Sequence, residues 1–250
     1  MQLKSKERVQ QLGQKLSTMK MTLDLFGVTA EVVLVMDISG SMSGRFSSGE
    51  VQDIVERGLG LGLAMDDDGA IQHFDFGERA TFVGDVGIDD IDGYVKKHMR
   101  TTNYEYGTNY ATVIELIGER YFAAELGAAK GGYSGRGKKA PQVKAPRKHP
   151  VFVLFVTDGN CGDRAKTIEA LAKLNQLPMF IQFCGVGGAK FTFLEDLDDI
   201  GNTDKRFAID SAGFFEARSV KGLSDEDFYK QLLNEFPGWV KIVKAKGWIQ

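Results

Sequence analysis

A run of apolar residues leads directly into a cluster of oxygen donors in the stretch Val32-Val33-Leu34-Val35-Met36-Asp37-Ile38-Ser39-Gly40-Ser41. Apolar and mostly β-branched runs of this kind predict a strand that is buried on both faces of a parallel sheet. In open parallel sheets, ligands bind in the crevice beyond the carboxyl ends of the strands. The side chains of Asp37, Ser39 and Ser41 follow the strand at this point. They therefore predict a site for a hard divalent cation such as Mg²⁺.

Predicted strands and helices alternate along the rest of the chain. Further strands are predicted at 70–76, 79–86, 151–156, 179–186 and 206–209, and helices at 1–23, 50–65, 89–98, 109–122, 163–174, 191–199 and 224–236. The alternation predicts parallel crossover connections with helices on both faces of the sheet. A predicted hairpin around Gly77-Glu78 adds one antiparallel edge strand. The predicted fold class is therefore α/β, with a doubly wound, mostly parallel central sheet.

The composition limits the classes of function. A chain of 250 residues with 43% hydrophobic content can form one large domain, and its net charge of −3 gives no general attraction to nucleic acid or to anionic membranes. The stretch from Gly127 to Pro150 is an exception, because it carries lysines and arginines but no acid. We predict an inserted, basic, flexible loop at 127–149, and contact of this loop with nucleic acid is the weaker alternative.

The cysteines and the N-terminus indicate a cytoplasmic protein. Cys161 and Cys184 are the only cysteines, which does not resemble a disulfide scaffold. The N-terminus is too charged for a secretory signal. No apolar run approaches the ~20 residues that cross a bilayer. We therefore expect a protein of the reducing cytoplasm with no membrane contact.

Two further segments place oxygen donors at the same predicted edge of the sheet. Gly107-Thr108-Asn109-Tyr110 opens a predicted helix, and Asp158-Gly159 follows the second fully apolar strand. An isolated Asp-x-Ser-x-Ser motif is more often explained by capping of the following turn. Thr108 and Asp158, in this order and on matching loops, favour the metal site instead.

Several segments of the chain form a recognisable combination. They are 34–44, 67–71, 107–110, 155–159 and 232–239. Together they resemble the von Willebrand factor A (vWA) domain, and more narrowly its TerF-like tellurium-resistance branch, over roughly residues 30–241. The resemblance implies a Rossmann-like vWA fold and a metal-ion-dependent adhesion site (MIDAS). In that site the hydroxyls of Ser39, Ser41 and Thr108 would bind the ion directly, while Asp37 and Asp158 would act mainly through bound waters.

We divide the chain into three parts on this basis. They are an N-terminal amphipathic helical extension (1–28), a vWA domain (29–243) and a C-terminal tail (244–250). We predict that the extension packs on its own domain, and docking of a partner is the alternative. At the metal site, the predicted partner-binding rim is formed by Met42, Asn109 and Asn160. Asp163 is predicted to be a helix N-cap, with selection of the partner as the alternative.

The predicted function is that of a metal-ion-dependent protein-binding module. It would hold Mg²⁺, with Mn²⁺ or Ca²⁺ as alternatives, and the ion would take a carboxylate from a partner protein. The resemblance implies a bacterial or phage complex that responds to tellurite or other chemical stress. The alternatives are a metal-dependent phosphoesterase and a nucleic-acid-associated scaffold that uses the basic loop. We predict no enzymatic activity, because no histidine or lysine is placed to activate a nucleophile.

Overall fold

The protein is described by a computed structural model that covers residues 4–98, 107–127, 143–159 and 161–250. Its strands are β1 (Glu31–Asp37), β2 (Ile71–Phe76), β3 (Ala80–Val86), β4 (Val151–Thr157), β5 (Met179–Val186) and β6 (Ala212–Ala217). Its helices are α1 (Ser5–Met19), α2 (Ser43–Ser47), α3 (Glu50–Met65), α4 (Tyr94–His98), α5 (Tyr110–Leu126), α6 (Arg164–Leu174), α7 (Thr192–Asp198), α8 (Ile200–Thr203), α9 (Asp225–Leu232) and α10 (Phe236–Ala245). Short 3₁₀ helices lie at Gly40–Met42 and Val220–Gly222.

The six strands form one sheet in the order β3-β2-β1-β4-β5-β6. All neighbouring strands are parallel except β2 and β3, which form the antiparallel hairpin at one edge. The predicted α/β class with a mostly parallel sheet is therefore confirmed. Asp37 at the end of β1 lies beside Phe76 at the end of β2, and Met36 lies beside Val156 of β4. The carboxyl ends of these three strands are level, so the loops that follow them meet at one edge.

Helices cover both faces of the sheet. One hydrophobic cluster joins the sheet to α1, α3, α9 and α10, and a second cluster joins the other face to α5, α6 and α7.

Glycines let α3 lie close to its neighbours: a Cβ at Gly62 would be 2.5 Å from Ile71 Cγ2 of β2, and one at Gly60 would be 2.7 Å from Leu12 Cβ of α1. Gly62 thus permits close approach of α3 to the sheet, and Gly60 permits close approach of α3 to α1.

The N-terminal helix α1 packs on its own domain, as predicted. Val9, Leu12 and Leu16 are buried, and the Arg8 guanidinium pairs with Asp53 and Glu56 of α3 at 2.8 and 3.2 Å. The boundaries drawn at 28/29 and 243/244 stay predictions. The basic loop lies mostly outside the described residues. Within the described ranges, no helix is long and apolar enough to cross a membrane.

The strand predicted at 206–209 is wrong, and the last strand is β6 at Ala212–Ala217. The reason is that side chains compete for the main-chain donors of this segment. The buried Asn175 side chain accepts hydrogen bonds from the N–H groups of Ala208 and Ile209 at 2.5 and 3.1 Å, and Asp204 accepts from that of Arg206 at 2.9 Å. These N–H groups are therefore not free to join a sheet.

The helix predicted at 224–236 is α9 and ends at Leu232, and a further helix that was not predicted, α10, follows at Phe236–Ala245. Pro237 lies in the first turn of α10, where its missing N–H is tolerated and its fixed φ favours a new helix start. The predicted helix at 89–98 is also shorter, because only Tyr94–His98 is helical.

Carboxylates gather where α7, α10 and the loop before β6 meet. Burial, followed by the charges of Asp198 and Asp210, raises the pKa of Glu235 to about 7. Burial likewise raises the pKa of Asp210 to about 6, with Asp198 and Asp199 contributing. Acids with a raised pKa in the folded state destabilise it when they ionise. Stability from this cluster is therefore largest in mild acid and is lost as the pH rises through about 7.

We expect Glu235→Gln to remove much of this pH dependence. The amide keeps the shape of the side chain but carries no charge, so the variant should be more stable than wild type at about pH 8 and equal to it at about pH 4. The gain at the higher pH should be about 1 kcal/mol, after discounting for the half-exposed position. Urea unfolding at both pH values measures it. The control is Glu226→Gln, an exposed glutamate paired with Lys230 at 2.7 Å, which should show no gain. Equal stability of Glu235→Gln and wild type at about pH 8 would refute the prediction.

Candidate metal centre

Asp37 is the last residue of β1, and its side chain is completely buried. Its Oδ1 accepts a hydrogen bond from the main-chain N–H of Ser39 at 2.8 Å, and its Oδ2 accepts one from the Thr157 hydroxyl at 2.7 Å. Burial raises the pKa of Asp37 to about 6, although hydrogen bonding by the Ser39 hydroxyl, the Ser39 N–H and the Thr157 hydroxyl acts in the opposite direction. No lysine, arginine or histidine in the described part of the chain pairs with this carboxylate. The edge of the sheet thus holds a fixed buried acid without a cationic partner.

The hydroxyls of Ser39 and Ser41 lie together beside Asp37. A 3₁₀ turn, in which the N–H of Met42 donates to the Ser39 carbonyl at 3.0 Å, brings the two Oγ atoms to 3.1 Å from each other. Neighbouring ligands of an octahedral Mg²⁺ with bonds of about 2.1 Å are about 3 Å apart. Ser39 is buried, whereas Ser41 is exposed. The pair therefore fits a small hard cation that is approached from the Ser41 side.

Thr108 reaches the same edge through its main chain. The carbonyl of Thr108 accepts a hydrogen bond from the N–H of Gly162 at 2.7 Å, and the N–H of Asn109 donates to the Gly77 carbonyl at 2.8 Å. The main chain of Thr108 and Asn109 is thus fixed between the end of β2 and the segment after β4. Its side chain is half-buried.

Asp158 follows directly after β4 and is half-buried. Its negative charge adds to the rise in the pKa of Asp37, so the two carboxylates act on each other across the sheet edge. The structure therefore brings the loops of all five candidate residues to one edge. Their assignment as metal ligands remains a proposal.

Thr157 is a further residue of this edge, whose role the sequence does not predict. Its hydroxyl donates to Asp37 Oδ2 and lies 3.1 Å from the Tyr110 hydroxyl and 3.2 Å from the main-chain nitrogen of Gly159. One donor and two acceptor positions of a hydroxyl are thereby used. Burial raises the pKa of Tyr110, so its phenol keeps its proton and donates to Thr157. The indication of this role in the sequence is a hydroxyl-bearing residue at the end of an otherwise apolar strand.

The predicted rim is only partly supported by the positions of its residues. Met42 is completely buried in the core, because the 3₁₀ turn directs it inward, so its side chain does not lie on the rim. Asn109 is half-buried and its amide donates to the Glu78 carbonyl at 3.2 Å. Asn160 lies outside the described residues. Asp163 takes the predicted N-cap position of α6, but its carboxylate bonds to a different helix.

Across the described residues, no group of three or more histidines, cysteines, aspartates or glutamates is placed to hold a metal ion. Cys161 and Cys184 are free thiols. The hydroxyl-rich edge at Asp37 differs from such sites because neutral oxygens supply most of its donors.

The sequence matches the vWA-TerF-like family, described as the vWA found in the TerF C terminus, over residues 29–129 and 139–249. An uncharacterized Bacillus subtilis protein, YcbR, is 30% identical over 223 residues, which is 88% of this chain and 81% of that protein.

Solved structures with similar folds include two proteins at low sequence identity. The SpRpn10 VWA domain gives a TM-score of 0.48 at 13% identity and covers 85% of this chain and 94% of that one. Proximal thread matrix protein 1 from the mussel byssus, whose MIDAS motif is occupied by zinc, gives a TM-score of 0.43 at 14% identity. The alignment covers 86% of this chain and 47% of the mussel chain, so this chain spans about half of that length.

We expect Thr157→Val to destabilise the fold strongly, although the two side chains have nearly the same shape. Loss of the hydroxyl leaves the Oδ2 atom of the buried Asp37 carboxylate and the Tyr110 phenol each without a partner, which should cost about 2–3 kcal/mol. Urea unfolding in the presence of a chelator measures it. The control is Thr81→Val at an exposed position of β3, which should change stability by less than about 0.5 kcal/mol. Equal stability of the two variants would contradict the role given to Thr157.

Proposed function

Because the chain belongs to the vWA-TerF-like family, we propose that it is a metal-ion-dependent protein-binding module. A divalent cation, Mg²⁺ in the first place, would be held by Asp37, Ser39, Ser41, Thr108 and Asp158. An acidic group of a partner protein would then bind to the exposed side of the ion. No chemical step is part of this function.

The observation that carries the proposal is the buried Asp37 carboxylate, which no basic side chain of the described residues accompanies. A buried carboxylate is costly unless a cation or several donors compensate its charge. Here the donors are the main-chain N–H of Ser39 and the hydroxyls of Ser39 and Thr157, none of which carries a positive charge. A divalent cation beside Ser39 would supply the missing positive charge.

The donor set also suits recognition of a carboxylate. Serine and threonine hydroxyls are neutral, so direct binding by Ser39, Ser41 and Thr108 would leave the ion with most of its positive charge. A carboxylate has about four lone-pair positions, so Asp37 retains acceptor capacity beyond these hydrogen bonds, which allows it to hold a metal-bound water. When bound, the ion would supply an electron-poor position that attracts an anionic oxygen.

The choice of ion follows from size. The Oγ atoms of Ser39 and Ser41 are 3.1 Å apart, which suits the short bonds of Mg²⁺ or Mn²⁺. Ca²⁺ takes longer bonds and more ligands, so it is the weaker alternative. The partner is proposed to belong to a bacterial or phage response to tellurite or other chemical stress in the cytoplasm, a context suggested by the TerF-like family alone.

We expect the wild-type protein to bind Mg²⁺ or Mn²⁺ and to be stabilised by it. At a concentration of about 100 times Kd the ion should add about 2.7 kcal/mol to the free energy of unfolding, which raises Tm by several degrees. Ser39→Ala should lose most of this affinity, because its hydroxyl is a proposed direct ligand. Titration calorimetry and thermal unfolding with and without the ion measure both effects.

Ser47→Ala is the matched control for the metal experiment. Ser47 is an exposed serine of α2, and its hydroxyl donates to the Gly44 carbonyl at 3.0 Å. This variant should bind the ion as wild type does. Undiminished affinity in Ser39→Ala would contradict the assignment of the site.

We also expect partner capture to require the ion. Immobilised wild-type protein and Ser47→Ala should retain the same host proteins in Mg²⁺ and release them when a chelator is added, whereas Ser39→Ala should not retain them. Quantitative mass spectrometry of the eluates measures the difference. Retention that survives the chelator, or hydrolysis of a phosphoester that depends on Mn²⁺ and on Asp158, would argue against a binding module.

A further inference from the structure

The Asp163 carboxylate links two loops of the proposed metal centre. Asp163 lies at the N-cap position of α6, in the segment that follows Asp158. Its Oδ1 accepts a hydrogen bond from the N–H of Tyr110 at 2.9 Å, and its Oδ2 accepts one from the N–H of Ala111 at 3.2 Å. These two N–H groups belong to the first turn of α5, which begins just after Thr108. The side chain therefore caps a helix other than its own.

The usual candidate for this cap is engaged elsewhere. Asn109 is the N-cap residue of α5, and asparagine is among the best capping residues, but its side chain makes no capping hydrogen bond. Its amide donates to the Glu78 carbonyl instead. The free N–H groups of α5 are consequently satisfied from the loop after β4. Because a residue of one loop caps the helix that follows another loop, the two loops are held at fixed positions relative to each other. A cap from Asn109 would not have this effect.

The Asp163 side chain is itself held in place. The hydroxyl of Thr167, a fully buried residue, donates to its Oδ1 at 3.1 Å, and the Cys161 thiol donates to the same atom at 3.3 Å. Both donors come from the β4–α6 side of the contact. The carboxylate is thus fixed to its own loop while it holds α5.

A main-chain contact reinforces the link. The N–H of Gly162 donates to the Thr108 carbonyl at 2.7 Å. A Cβ at Gly162 would lie 3.0 Å from Asn109 Oδ1, so the absence of a side chain there permits the close approach. The loop that carries Thr108 and the loop that carries Asp158 are therefore joined by three hydrogen bonds.

We propose that Asp163 is a positioning residue of the metal centre: through the first turn of α5 it fixes Thr108 relative to Asp158. This inference rests on the proposed function. Residues that orient metal ligands change metal affinity by about 10- to 100-fold when they are mutated.

The test is a double-mutant cycle read out by Mn²⁺ affinity. Asp163→Asn should weaken Mn²⁺ binding about tenfold or more, measured by electron paramagnetic resonance of free Mn²⁺ on the folded protein. If Asp163 acts through Thr108, its substitution should matter little once the threonine hydroxyl is gone. The double variant Asp163→Asn/Thr108→Ala should therefore bind within about threefold of Thr108→Ala alone. Thr167→Val, which removes one donor to the carboxylate and leaves the α5 cap in place, should give a milder loss of affinity.

Ser224→Ala is the control for loss of a helix cap as such. Ser224 caps α9 by accepting from the N–H of Asp227 at 3.1 Å, and α9 packs on the face of the sheet opposite α5. Its loss should lower the free energy of unfolding by about 1 kcal/mol without changing Mn²⁺ affinity, alone or with Thr108→Ala.

The outcomes separate this inference from the proposed function. Wild-type protein that binds no Mn²⁺ would overturn both. Wild-type affinity in folded Asp163→Asn and Thr167→Val would overturn the inference alone. Equal loss of affinity from Asp163→Asn in the presence and absence of the Thr108 hydroxyl would also overturn it, because the effect would then not pass through Thr108.

Discussion

The hydrogen bond between the Thr157 hydroxyl and the buried Asp37 carboxylate connects the ends of the two central strands. Both residues are fully buried, so neither polar group has water as an alternative partner. Residues 120 positions apart in the chain are thereby locked together at one edge. Because β1 and β4 are parallel neighbours with level ends, any change in their register would break this contact. The fold and the candidate site are thus stabilised by the same pair of atoms.

A site assembled from three loops needs more than a rigid sheet. The sheet fixes Asp37 and Asp158 directly, since each lies at or just beyond a strand end, but Thr108 arrives on a loop that leads into a helix. Tyr110 is the residue that joins it to the rest: its main-chain N–H bonds to Asp163 and its phenol bonds to Thr157. Rigidity at the strand ends is in this way extended to the loop, as preorganised binding sites require.

Much of the fold was predictable because its strongest signals are local. The apolar runs of β1 and β4 and the hairpin after β2 follow from residue patterns within each segment. These patterns are sufficient to predict an α/β fold with a mostly parallel sheet. The features that escaped prediction depend on contacts between distant residues. Asn175 captures the main-chain donors at Ala208 and Ile209, which a local pattern assigned to a strand. The hydrogen-bond partners of Thr157 and Asp163 likewise could not be predicted from local patterns, because they lie about 50 or more positions away in the chain.

Burial differs sharply among the proposed ligands, so the site is accessible from one side only. Asp37 and Ser39 are buried, whereas Gly40 and Ser41 are exposed. A Cβ at Gly40 would meet no atom within 4 Å, so the space above the turn is open. Under the proposed function, a partner carboxylate would approach beside Ser41 and over Gly40, while Asp37 stays out of its reach. Affinity for the ion and choice of the partner would then depend on different residues. The buried residues would set the affinity for the ion, and the exposed surface around Ser41 would select the partner.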